Sequence, residues 1–84
     1  MQFTKSDITI LGKLNEAGLH NEMKSATIKG IAKITSLSEI KVRQSTALLQ
    51  ENELLKLGFK QKNANTYFIS EKGIEFLRKL GLTK

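Results

Sequence analysis

Arg43 and Gln44 are neighbours on a segment that reads as a helix, and both side chains suit hydrogen bonding to base edges. A guanidinium can fork onto guanine O6 and N7, and a primary amide can pair with adenine N6 and N7. Just before them stand Glu39, Ile40 and Lys41. Ile40 suits a thymine methyl or a second protein chain, and Lys41 suits a phosphate. Glu39 either accepts from a cytosine amine or serves as a capping charge at the positive end of the helix. Ser36 and Ser38 precede that end and can donate to phosphate, a contact the helix dipole favours. A second polar group follows at Lys60, Lys62, Asn63 and Asn65, inside an interval from Leu54 to Ile69 that holds no acidic residue.

Chemistry of bond making is not expected. The chain has one His, no Cys, no Gly-rich phosphate loop and no carboxylate pair set around a site. Glu51 and Glu53, two apart on a helix, diverge. Glu71, Glu75 and Lys79 read as an exposed charge ladder. His20 reads as an exposed loop residue with no companion ligand. No enzyme, metal site or cofactor is therefore expected.

The elements that must position these groups follow from periodicity and capping. Ser6-Asp7 signals the start of a first helix with Ile8, Ile10, Leu11 and Leu14 on its apolar side, and Ala17-Gly18 ends it. Residues Met1 to Lys5 read as a lead-in, with Phe3 free to pack. Met23 to Ala26 suits a short strand. Thr27 is a good N-cap for a short helix to about Thr35, with Ile28, Ile31 and Ala32 on one face and Ile34 and Leu37 closing it across the turn. Ser38 caps a longer helix from Glu39 to about Glu53. With Val42 at the centre of the inner face, Thr46, Leu49 and Glu53 fall inward with Ser45 beside them, and Ile40, Arg43, Gln44 and Ala47 fall outward. Leu54 to Lys62 and Thr66 to Ile69 read as a hairpin around Asn63-Ala64-Asn65. Ser70 caps a last helix to about residue 80. Its residues Ile74, Phe76, Leu77, Leu80 and Leu82 exceed what so short a helix is expected to bury in its own domain.

Length and charge narrow the class. Eighty-four residues suit one domain, spanning 1–84. Fourteen Lys and Arg against eight Asp and Glu give a net charge of +6, which favours a polyanionic partner. No apolar run spans a bilayer, no signal-peptide pattern opens the chain, and the absence of Cys fits the cytoplasm.

A short helix, a turn and a longer helix over about 27–53, then a basic hairpin over about 54–69 and a helix over about 70–80, looks like a winged helix-turn-helix, a mainly α fold with a small β wing. The runs LSEIKVRQSTALLQENELL and YFISEKGIEFL resemble the MarR-like group of bacterial winged-helix regulators, where a pattern like LSxxTVSxxLxxLxxxGLI precedes the wing and YxLTxKG follows it. Two positions depart from the helix-turn-helix pattern, Ser36 in the turn where Gly is frequent and Ser45 where an aliphatic residue is usual, and two from the MarR-like pattern, Glu53 where Gly is preferred and Lys41 where Thr is common. The resemblance implies double-stranded DNA as partner, the outward residues of the second helix as base readers, and the wing as a phosphate or minor-groove contact.

Two DNA-binding roles fit. The first is a transcriptional repressor of a bacterium, plasmid or phage. The alternative is the role of the small TubR-like centromere binders, which coat repeated sites and hand plasmid or phage DNA to a filament-forming partition protein. A winged helix that binds protein instead is a second alternative, and the basic wing argues against it. A homodimer using the terminal segments is expected in either DNA-binding role.

Overall fold

Local caps fix where each helix begins in the computed structural model, which describes residues 3–81. Helix α1 (Lys5–Glu16) is capped by Thr4. The Thr4 hydroxyl accepts from the Asp7 N–H at 3.3 Å, and the Asp7 carboxylate accepts from the Thr4 N–H at 2.8 Å. This reciprocal box needs its acid three residues after the cap, so the cap falls at Thr4, two residues before the expected Ser6, and Lys5 belongs to the helix rather than to a lead-in. Gly18, at φ 74°, turns the chain after the Ala17 cap.

Strand β1 (Ala26–Thr27) lies later than the expected Met23 to Ala26. The Asn21 side chain takes the N–H groups of Met23 and Lys24 at 3.0 and 2.9 Å, which holds that segment as a turn. Thr27 then caps α2 (Ile28–Thr35), accepting from Gly30 N–H at 3.1 Å. Ser38 caps α3 (Glu39–Glu51), accepting from Lys41 N–H at 3.1 Å. Strands β2 (Leu55–Leu57) and β3 (Thr66–Ile69) precede α4 (Glu71–Lys79), which Ser70 caps as expected. The sheet is antiparallel in the order β1-β3-β2, with Ala26 opposite Tyr67 and Leu57 opposite the same residue on the other side.

All four helices and the sheet share one apolar centre. Ile10, Leu11 and Leu14 of α1 meet Ile31 of α2, Val42 and Leu49 of α3, Leu54, Leu55 and Ile69 around the sheet, and Leu77 of α4. The inner face of α3 carries Val42, Ser45, Thr46 and Leu49, as the helical period requires. Glu53 does not join it. Helix α3 stops at Glu51, and Glu53 follows in a left-handed conformation (φ 63°), exposed. Ile34 is also more open than expected, at 41% exposure.

The terminal segments pack on their own chain. Leu77 is fully buried, Ile74 and Phe76 lie against the core, and the Phe3 ring meets Phe76 edge-on at a centroid distance of 5.0 Å. Leu80 remains 46% exposed, and Leu82 lies outside the described residues. The expected surplus of apolar surface on α4 is thus largely absorbed by Phe3 and the sheet. The charge ladder also differs: Glu75 pairs with Arg78 at 3.4 Å, one turn on, rather than with Lys79.

Candidate nucleic-acid interface

Helix α3 is aimed by the turn before it. Ser36 adopts the left-handed conformation (φ 62°, ψ 23°) that ends α2, and the Ser38 cap starts α3 two residues later. Glu39, Ile40, Arg43 and Gln44 are then exposed, Ile40 at 70%, whereas Lys41 is half-buried. Ser36 and Ser38 are exposed at the same end. This matches the expected outward face, with Lys41 at its edge.

The wing is built in two parts. Its base is a regular ladder continued by Gly58, whose N–H donates to the Thr66 carbonyl at 2.9 Å. Its tip closes at Gln61 and Ala64, which exchange N–H···O bonds of 3.0 and 2.9 Å around Lys62 and Asn63. Both of those residues have positive φ, 50° and 67°, so the turn is the tight primed kind and sits one residue earlier than the expected Asn63-Ala64-Asn65. Between base and tip, Phe59 and Lys60 oppose the single residue Asn65, which makes a bulge. The Thr66 hydroxyl secures it by donating to the Phe59 carbonyl at 2.6 Å. Gly58 has no alternative here: a Cβ would stand 2.7 Å from the Ser25 Cβ and from Thr66 Oγ1.

Between wing and helices runs an open groove of about 780 Å3. Its walls are Thr27, Ile28 and Lys29 at the start of α2, Glu39 and Arg43 on α3, and Gln61, Lys62, Ala64, Asn65 and Tyr67 on the wing. Arg43, Glu39, Lys62 and Asn65, all expected at the site, are brought together. Ile40, Lys41 and Gln44 lie along α3 outside the groove lining, and Asn63 is exposed at the hairpin turn. Lys60 parts from Lys62. The bulge carries it to a smaller groove of about 180 Å3 beside Met23, Ser25 and Phe59.

Lys29, Thr27, Ile28 and Gln61 were not anticipated as lining residues. A signal for Lys29 existed, since the first turn of α2 holds a cation and no acid. The cations of the groove are not ion-paired: among the described residues the ion pairs are Lys72–Glu53 and Glu75–Arg78, neither involving Lys29, Arg43 or Lys62. The arrangement offers three cations, one acid and several amide and hydroxyl groups on two walls of one open channel. It fits a polyanion of regular shape better than a small molecule that must be enclosed. Among the described residues no three His, Cys, Asp or Glu side chains are grouped to hold a metal ion, and no helix is long and apolar enough to cross a membrane.

No protein-family model matches the chain. A curated relative, the DNA-binding protein TubR of Clostridium botulinum C phage, is 34% identical over 80 residues, covering 95% of this chain and 99% of the relative. The chain belongs to the TubR family. The solution structure of the DNA-binding TubR fragment from Clostridium botulinum agrees with the fold at a TM-score of 0.76, with 34% identity over 95% of this chain and 99% of that one. TubR from Bacillus megaterium pBM400 shares the fold at a TM-score of 0.83 and 18% identity, over 98% of this chain and 90% of that one. The zinc-responsive MarR family member ZitR of Lactococcus lactis shares it at 0.72 and 22%, over 96% of this chain and 53% of ZitR. The winged helix-turn-helix expectation therefore holds, and both resemblances read from the sequence meet in one fold. The positive-φ residues Ser36 and Glu53 occupy positions where Gly is preferred, Ser36 in the turn of the helix-turn-helix and Glu53 in the MarR-like pattern.

Proposed function

We propose that the chain binds double-stranded DNA through α3 and the wing, as the centromere-binding adaptor of a partition system. The observation that carries this reading is the groove that sets Arg43 of α3 across from Lys62 of the wing in a chain related to a DNA-binding TubR. Arg43 and Gln44 read base edges in the major groove, with Ile40 against a thymine methyl and Glu39 selecting a cytosine amine. Lys62, Asn63 and Asn65 follow the neighbouring phosphates or minor groove, and Ser36, Ser38 and Lys41 hold the strand near the start of α3. Lys29 joins them from α2. Lys60, on the far side of the bulge, has a lesser part.

The protein acts as a homodimer, on repeated sites, in the cytoplasm, and passes the DNA to a filament-forming partner. The repressor role, first in order from the sequence, becomes the second reading once TubR kinship is known; the fold shared with ZitR is what favours it. Footprinting across the DNA around its own coding sequence separates them. Protection spreading over a cluster of repeats is the expected result, whereas one short protected operator overturns the partition role and leaves repression. No protection at low salt overturns DNA binding itself and favours a protein-interaction module.

A further inference from the structure

Tyr67 lines the groove at the base of the wing, and it is held more firmly than the lysines and amides around it. It stands on β3, the central strand, paired with Ala26 of β1 on one side and Leu57 of β2 on the other. Its ring packs against the apolar core, and the residue is half-buried. Lys29, Gln61, Lys62 and Asn65 are all exposed. The Tyr67 hydroxyl makes no hydrogen bond to any described residue. For packing alone it adds nothing, because phenylalanine would fill the same space. A phenol with its ring on the core and its O–H unpaired turns the O–H to the open side, which here is the groove.

We propose that the Tyr67 hydroxyl donates a hydrogen bond to a backbone phosphate of the DNA in this groove, as a neutral anchor between the start of α2 and the wing. The inference rests on the DNA-binding reading above and adds to it a contact that carries no charge. A phenolic O–H is a donor and a phosphate oxygen an acceptor, and Lys29 across the groove supplies the charge that Tyr67 lacks. The antiparallel pairing of β1 with β3 brings the two together, since Thr27 ends β1 and α2 begins at the next residue. A ring with two side-chain torsions, on a strand paired along both edges, loses less freedom on binding than a lysine does. Stacking on a base is the poorer use of Tyr67, because the core already takes up its ring.

Tyr67→Phe removes the hydroxyl and keeps the ring. Fluorescence anisotropy is expected to show affinity falling roughly three- to tenfold, the range for one neutral hydrogen bond. The loss should be alike on the footprinted site and on an unrelated duplex, with the salt slope unchanged because no charge is removed. The urea unfolding midpoint should match that of the wild type. A scan of single methylphosphonates through the duplex then locates the contact: one position is expected to weaken the wild type and leave Tyr67→Phe unaffected. A loss confined to one base sequence, a loss with a lowered unfolding midpoint, or a scan in which no position separates the two proteins overturns the contact. A wild-type chain that binds no duplex overturns the functional reading and this contact with it. Wild-type binding that Tyr67→Phe leaves intact overturns this contact alone.

Discussion

Ser36 and Glu53 bracket α3 and share one backbone conformation, at φ 62° and 63°. The first ends α2 and aims the helix; the second leaves it for the wing. The Glu53 carbonyl also receives the Ser70 hydroxyl at 2.6 Å, and Ser70 caps α4 through Gly73 N–H at 3.0 Å. The left-handed turn after α3 is thereby tied to the start of the last helix. A side chain at either φ carries a steric cost that glycine avoids.

Replacing each of these residues by glycine is therefore expected to stabilise the fold. Ser36→Gly and Glu53→Gly should each add about 0.5–1 kcal/mol, less the flexibility gained by the unfolded chain. The Lys72–Glu53 pair lost in the second variant is exposed and contributes little. Urea unfolding measures both changes, and a clear loss of stability in either would show that the side chain does more than tolerate the turn.

Gly73 is the converse. A Cβ there would press on the Leu54 carbonyl and stand 2.7 Å from Ile69 Cγ1, where α4 lies directly on the sheet. Gly73→Ala should cost roughly 1–3 kcal/mol by overpacking, despite alanine's better helix propensity. Thermal unfolding that rises instead would mean α4 sits farther from Leu54 than described.

In the proposed DNA complex, base reading rests on Arg43. Arg43→Ala should weaken specific binding by about 1–3 kcal/mol and relax one base preference. Competition among single-base variants of the site checks this, and an unaltered preference would remove Arg43 from base reading.

The phosphate contacts should behave differently. Lys29→Ala and Lys62→Ala should weaken binding to most duplexes alike and lower the salt slope by about 1 each. Lys60→Ala should change the slope less, since the bulge turns it to the smaller groove. Equal effects for Lys60 and Lys62 would contradict the division of the wing.

Most of the architecture was legible because local signals agree with the final packing. Thr27, Ser38 and Ser70 are capping residues whose side chains close onto a nearby N–H, so the starts of three helices could be read from short spans. The ends were harder. The preference for Gly at position 53 in the MarR-like pattern is the one local hint that Glu53 leaves the helix; the turn closes through the Leu54 N–H onto the Leu49 carbonyl at 2.9 Å, and the Ser70 hydroxyl, seventeen residues away, ties it to α4. The wing tip slipped by one residue for a related reason: Asn63-Ala64-Asn65 has turn chemistry, yet the bulge held by Thr66 places Lys62 and Asn63 at the reversal. The same bulge separates Lys60 from Lys62, which sequence proximity had joined. Lys29 and Gln61 enter the groove only because β1 lays the start of α2 beside β3, a long-range pairing with no local signature.

The most direct test of the central claim is the affinity for a duplex carrying the footprinted site, measured by fluorescence anisotropy over a salt series with stoichiometry recorded. Tight binding that falls steeply with salt, at two chains per site and with further copies loading on repeats, is the result this account predicts. Weak binding with no dependence on salt would contradict it.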